Sequence, residues 1–347
     1  LVKEVVKEGY LFAKNKPSKA NVFILAVPTP LDKNKNGLPK PNIDYVLNAA
    51  ISISGFLEPG NLVILESTSP VGTTEKVAEL LYAKSGLEKD SLSIAYCPER
   101  VLPGKALEEI ISNNRVIGGI NKKSELQGEN FYKSFCKGEI ITTDSRTAEL
   151  VKLTENAYRD VNIAFANEIS MVSSQLKVEY QEVIKIANHH PRVNILKPGC
   201  GVGGHCIAID PWFIASQSPE FTTLIQAGRE VNLNKTNWSI NLIIDKVNQL
   251  KYKLKRKPLI GIFGLTFKSD IDDVRESPAL FITEKLIEKG HNLIICEPNI
   301  TSYKNLVFAN AEEIIEKADI LILLVSHYQF KNLNFKNKEI INLCGFN

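Results

Sequence analysis

At 347 residues the chain is long enough for two or three domains, each with its own buried core. Hydrophobic content of 44% and charged content of 23% are those of a globular protein, and a net charge of +3 gives no basis for a nucleic-acid or membrane-surface partner. No apolar run approaches the ~20 residues of a membrane span, and the start of the chain has no signal-peptide pattern.

From the first residues onward, short β-branched runs alternate with helical stretches. Residues 21–27 (NVFILAV), 62–66 (LVILE), 92–96 (LSIAY) and 115–117 read as buried strands, with helical periodicity over 43–56 and 74–85 between them. The middle differs. Residues 147–176 run without Pro or Gly and predict one long helix, followed by a shorter helical pattern over 181–188. The basic run 251–257 (KYKLKRK) reads as a solvated linker. Beyond it the alternation returns, with strands at 259–263, 292–296 and 320–325 and helices at 277–289 and 311–317. The expected fold is α/β, with two doubly wound Rossmann-like domains joined by a long central helical segment. Boundaries fall near residues 145 and 255, giving domains 1–145, 146–254 and 255–347.

Six cysteines (97, 136, 200, 206, 296 and 344) and five histidines (189, 190, 205, 291 and 327) show no metal-ligand spacing, so no metal is expected. A reducing cytoplasm suits free thiols. The densest chemistry lies in 198–214, PGCGVGGHCIAIDPWFI. Glycines 199, 201, 203 and 204 allow close backbone approach, and Cys206 directly after them is placed as a nucleophile. Asp210, four residues on, is a candidate to activate water or tune the thiol. A tight structural turn around a small buried thiol is the competing reading. The stretch 199–204 superficially resembles a Gly-x-Gly-x-x-Gly dinucleotide turn, but it follows Lys197-Pro198 rather than a strand.

Three other segments carry polar groups at suggestive places. In 149–160 (ELVKLTENAYRD), helical spacing sets Lys152 and Asn156 one turn apart, with Arg159 and Asp160 following on the same face. Such a cluster can hold a sugar hydroxyl or an oxyanion; a solvated helix face is the alternative. Polar residues follow the strands at 66–70 (ESTSP) and 97–100 (CPER), where open α/β sheets bind ligands. Glu99 is there a candidate acid or base and Thr68 a hydrogen-bond donor, or both cap loops. In 261–278 (GIFGLTFKSDIDDVRESP), Lys268 and Arg275 suit a diphosphate unless Asp272, Asp273 and Glu276 neutralise them.

Together the strings at 27–30 (VPTP), 67–73, 97–100, 152–160, 165–168 (FANE), 201–206 (GVGGHC) and 264–278 resemble the UDP-glucose/GDP-mannose dehydrogenase family, over essentially the whole chain. The strings at 190–196 (HPRVNIL) and 205–213 (HCIAIDPWF) are most similar to the branch that acts on UDP-N-acetylmannosamine, with the UDP-N-acetylglucosamine branch as the alternative. The resemblance implies a four-electron oxidation of a sugar C6 alcohol to a uronate, with NAD as cofactor and a Cys206 thiohemiacetal and thioester on the way. It further implies that Lys152 and Asn156 steady the oxyanion, while Asp210 and Glu99 move protons. Arg100, Val101, Arg159, His190, Arg192, Gly201, Phe267 and Lys268 would line the UDP-sugar site. Thr29, Thr68 and Arg275 would contact NAD. A homodimer through the central helix is implied, with Arg192 at its interface.

The family's first strand, Gly-rich turn and ribose-binding acid have no counterpart in the chain. Its first domain is therefore expected to lack the initial βα unit, roughly 60–80 residues by the size of such a unit. A non-catalytic product that keeps only nucleotide-sugar binding is the alternative function.

Overall fold

The computed structural model describes residues 2–32, 37–101 and 105–346. The chain divides into two compact units, Leu1–Leu153 and Thr154–Asn347; residues 146–153 of the expected central segment fall in the first and residues 154–254 in the second.

In the first unit a short helix α1 (Val2–Lys7) precedes strand β1 (Val22–Leu25) and the small ribbon β2 (Leu31–Asp32) with β3 (Lys40–Pro41). Then follow α2 (Asp44–Ser54), β4 (Leu62–Leu65), α3 (Thr73–Ser85), β5 (Ser93–Tyr96), α4 (Ala106–Ser112), β6 (Arg115–Gly119), α5 (Lys122–Lys133) and β7 (Ile140–Asp144). The main sheet has the order β1-β4-β5-β6-β7. Its pairs are parallel except β5 with β6, which run antiparallel with Ala95 opposite Gly119, a reversal that the alternating sequence pattern does not disclose.

The apolar runs of β4 and β5 are continuous because both faces of the sheet are covered. Val63, Leu65, Ile94 and Tyr96 enter one core with residues of α2 and α3, while Leu62, Ile64, Ala95 and Cys97 enter the other with Tyr132 of α5. Successive side chains thus leave the strand on opposite sides, each full burial adding about 1.5–3 kcal/mol. β1 is an edge strand: Phe23 and Leu25 are buried, whereas Ile24 between them is 45% exposed. Gly72 (φ 89°) and Gly86 (φ 72°) bracket α3 in left-handed conformations, and the latter ends the helix with its N–H on the Tyr82 carbonyl.

Helix α6 (Ser145–Leu176) runs 32 residues and crosses from the first unit into the second. The second unit continues with α7 (Tyr180–Ala187), α8 (Asp210–Gln217) and α9 (Thr223–Leu254), then β8 (Leu259–Phe263), α10 (Pro278–Glu288), β9 (Asn292–Cys296), α11 (Ala311–Lys317), β10 (Ile320–Leu323) and β11 (Glu339–Asn342). Its four-stranded sheet is all parallel, in the order β11-β10-β8-β9. Here too alternate residues serve two cores: Ile260, Ile262, Ile320 and Ile322 face one, and Phe263, Leu321 and Leu323 the other. Helix α9, another 32-residue element, is not evident from periodicity because its buried positions include Arg229, Asn232, Lys235 and Ser239. Among the described residues no helix is long and apolar enough to cross a membrane.

Candidate active site

The loop from Pro198 to α8 is fastened at its stem. The Gly199 N–H donates to Asn167 Oδ1 of α6 at 2.9 Å, and the Thr236 hydroxyl of α9 donates to the Cys200 carbonyl at 3.0 Å. Gly201 (φ 146°) lies so near α9 that a Cβ would fall 2.2 Å from Thr236 Oγ1. A Cβ on Gly203 would meet the Glu276 carbonyl at 2.3 Å. The glycines therefore let this loop press against α9 and residues 264–278, within the same unit; the sequence alone had suggested approach to a ligand. Phe267, partly buried, packs its ring on Gly204. Among the described residues no strand leads into this loop, so 199–204 is not a dinucleotide turn.

The loop carries two cysteines with opposite environments. Cys200 is buried, with its thiol on the Leu324 carbonyl at 3.7 Å, and burial pushes that thiol up to about 12. Cys206 is exposed. Its carbonyl accepts the Asp210 N–H at 2.9 Å, which ties the thiol's position to the first residue of α8. The Arg275 guanidinium lies within electrostatic range of Cys206. Arg275 itself is exposed and bound to Asp273 at 2.6 Å, so the salt bridge weighed from the sequence is formed.

Asp210 is buried at the N-terminus of α8, where a carboxylate is favoured. It accepts the Asn156 side-chain amide at 2.5 Å. Asn156 and Asp160 lie on the buried side of α6, whereas Arg159 is exposed. The face expected from spacing is thus divided: Asp160 is engaged by Arg229 at 2.6 Å and by Asn232 at 2.8 Å, and serves the packing of α6 on α9. His190 and Arg192 are exposed on the turn after α7, with the Arg192 N–H on His190 Nδ1 at 3.3 Å, and Lys268 is exposed.

In the first unit, Lys152 is buried on α6 and donates to the Glu99 carbonyl at 3.0 Å. Glu99 lies just past β5. Its carboxylate accepts the Arg100 N–H at 2.5 Å and faces Arg115 at 3.8 Å; Val101, which follows, is partly buried. The Thr29 hydroxyl donates to the Thr68 carbonyl at 2.7 Å, joining the segments that leave β1 and β4. Ser67, Ser69 and Thr73 hydroxyls cap this turn. The N–H groups of Gly72 and Thr74 at the start of α3 are taken by Glu149 at 2.6 and 2.8 Å, so this helix end offers no free anion cradle.

Sequence reasoning missed Glu149, Arg115, Glu297 and His327. Glu149 sits inside a segment already singled out, one turn before Lys152. Arg115, at the head of β6, is buried and lies 4.7 Å from the Tyr132 ring centre. Glu297 and His327 are both buried and meet at 3.1 Å, holding residues 265–270. No metal-binding group of His, Cys, Asp and Glu occurs among the described residues.

Family models match in three successive stretches. Residues 1–136 match the NAD binding domain of the UDP-glucose/GDP-mannose dehydrogenase family, residues 146–234 its central domain and residues 261–342 its UDP binding domain. The chain is 45% identical to the UDP-N-acetyl-D-mannosamine dehydrogenase of Campylobacter jejuni, over 99% of this chain and 86% of that protein. It is also 45% identical to the NDP-N-acetyl-D-galactosaminuronic acid dehydrogenase of Ralstonia nicotianae, over 99% of this chain and 83% of that one. The solved structure of the UDP-D-ManNAc dehydrogenase from Pyrococcus horikoshii superposes with a TM-score of 0.89 at 36% identity, covering 100% of this chain and 83% of that one. The chain belongs to the UDP-glucose/GDP-mannose dehydrogenase family, the NAD-dependent oxidoreductases of nucleotide sugars.

Proposed function

We propose that the protein oxidises the C6 alcohol of UDP-N-acetyl-D-mannosamine to UDP-N-acetyl-D-mannosaminuronate, a four-electron change, through a covalent Cys206 intermediate. One observation carries this reading: an exposed thiol, Cys206, sits one helical turn before a buried Asp210 that is itself held by Asn156. NAD, when bound, supplies the hydride acceptor for both oxidations. The carboxyl ends of parallel strands β1 and β4, joined through Thr29 and Thr68, fit the place where such sheets receive nucleotides. Thr29, Thr68 and Arg275 are the contacts we assign to it.

The chemistry asked of the chain then follows. Cys206 Sγ adds to the C6 aldehyde carbon, and the carbonyl oxygen becomes an oxyanion. Asn156 has two amide hydrogens; one is on Asp210, and the other remains for that oxygen. Lys152 likewise spends one of three N–H donors on the Glu99 carbonyl and brings a positive charge. Loss of the second hydride converts the thiohemiacetal to a thioester. Glu99 takes the hydroxyl proton when the C6 alcohol first becomes the aldehyde, and Asp210 takes one proton from the water that adds to the thioester; the tetrahedral adduct then collapses, the C–S bond breaks, and Cys206 leaves as thiolate. Arg100, Val101, Arg159, His190, Arg192, Phe267, Lys268 and the Gly201 backbone are assigned to the UDP-sugar.

Assembly as a homodimer through the central helix belongs to the same proposal. Tyr158, Phe165 and Val172, spaced by sevens on α6, are each more than 40% exposed and form one apolar stripe. Sedimentation should give a dimer mass.

Incubation with NAD and UDP-N-acetyl-D-mannosamine should release two NADH for each uronate formed. Cys206→Ser should abolish uronate release; full four-electron turnover in that variant would refute the covalent role. Because the Ralstonia relative is equally similar, the nucleotide-linked N-acetyl-D-galactosamine is the second reading, tested as its UDP form, and UDP-N-acetylglucosamine the third substrate to compare. Turnover with either at higher kcat/KM displaces the manno assignment, and no NADH from any of them sinks the dehydrogenase reading.

A further inference from the structure

Helix α9 buries two cations six residues apart and treats them differently. Arg229, 2% exposed, is paired with the Asp160 carboxylate at 2.6 Å. Lys235, also 2% exposed, has no carboxylate partner among the described residues: its Nζ donates to Ser170 Oγ at 2.7 Å and stands 3.9 Å from the Trp238 ring centre. The Ser170 hydroxyl spends its own hydrogen on the Asn167 carbonyl, so it serves Lys235 only as an acceptor. An ammonium has three N–H donors. One goes to Ser170, the indole face accepts part of the charge, and the remainder is unspent. Burial lowers Lys235 to about 8, the response of an ammonium short of a counter-charge.

Lys235, Ser170 and Trp238 line the same cavity, of about 350 Å³, at the small end of the range for small-molecule sites (~300–1,000 Å³). Leu242, Ile340 and Ile341 of the edge strand β11, and Leu343 just past it, complete an apolar wall, and Pro198 and Gly199 at the stem of the Cys206 loop form another. Two further charges limit what fits. Lys246 in the wall is already paired with Glu339 at 3.5 Å, and the Glu179 carboxylate, which caps α7, would repel a second negative charge.

We propose that this cavity is a binding site for a small organic monocarboxylate, its carboxylate accepting the remaining Lys235 N–H donors and its apolar body lying on Trp238 and Leu242. The site is independent of the dehydrogenase reading and is tested without turnover. The probe is benzoate, titrated calorimetrically into the 347-residue chain at pH 7, against benzyl alcohol as the uncharged analogue and inorganic phosphate as the apolar-free anion. Benzoate should bind saturably, one per chain, at least ten-fold tighter than either comparator, and should weaken as pH rises through about 8 and Lys235 loses its proton. Lys235→Met should reduce benzoate to the level of benzyl alcohol. Ser174→Trp, at the exposed rim of the cavity, leaves Lys235 untouched and should block benzoate as well, so the test does not hang on the buried substitution folding. The proposal is overturned by benzoate affinity unchanged in either folded variant, by phosphate or benzyl alcohol binding as tightly, or by no saturable binding up to about 10 mM.

Discussion

In each unit a glutamate directly follows a parallel strand, Glu66 after β4 and Glu297 after β9, and the two carboxylates live in opposite conditions. Burial is the largest influence on both and opposes their charge. At Glu297 it is outweighed by His327 Nε2 at 3.1 Å and by the Leu265 and Asn299 amides at 2.6 and 2.9 Å, so the carboxyl is held below its ordinary range. Glu66 has a long hydrogen bond from Tyr132 at 3.4 Å, and Glu99 nearby adds to the effect of burial, which Arg115 only partly offsets; its carboxyl is raised. A satisfied carboxylate fastens a loop, here the one that bears Phe267, Lys268 and Arg275. An undersupplied one, beside Glu99, Arg115 and Cys97 at a strand end, is the condition typical of a functional site.

The comparison fails most visibly if Glu297 proves dispensable. Glu297→Ala would strand His327 and several buried amides, and should cost about 3–5 kcal/mol in urea unfolding followed through the tryptophans; a loss below about 1 kcal/mol would remove its anchoring role. His327→Ala should come next, at about 1–3 kcal/mol, because the Asp270 N–H (3.0 Å) and the Asn299 amide (2.9 Å) both lose their acceptor on Nδ1.

The pH dependences should have opposite signs. Glu297 is depressed, so its contribution is present above the unfolded carboxylate range and is lost as pH falls through its folded value. Glu66 is raised, so the folded state holds its proton more firmly, and stability is lost as pH rises through the folded value. Melting temperatures of Glu297→Gln and Glu66→Gln between pH 4 and pH 8, set against the parent, should flatten those two slopes separately. Equal slopes would erase the contrast. The smallest effect should be that of Glu66→Gln at neutral pH, within about 1 kcal/mol of the parent and on the stabilising side, since an amide avoids the cost of a buried charge.

Much of the candidate site is visible in the sequence because its residues are close along the chain. Cys206 and Asp210 are four apart, as are Lys152 and Asn156, and helical or turn spacing suffices to group each pair. The contact between Asn156 and Asp210 spans 54 residues, and no local period reveals it. Cys200 and Cys206 look alike in a Gly-rich string; only the contact of Cys200 with the Leu324 carbonyl, 124 residues away, marks it as structural. Arg275 is two residues from Asp273, so its salt bridge could be weighed beforehand, whereas its nearness to Cys206 could not.

By itself the sequence determined where the buried strands and the long α6 lie, since two-sided burial demands unbroken apolar runs and a helix tolerates no internal Pro. Its ordered motifs also determined the family. Tertiary structure alone decided the rest. It set the antiparallel step between β5 and β6, because strand direction is not written in a strand's own residues. It made α9 a buried helix despite its polar inner face, because Asp160, Asn167 and Ser170 of α6 supply the partners. And it decided which charges are neutralised, for a charge is satisfied by its neighbours in space, and those neighbours come from distant parts of the chain.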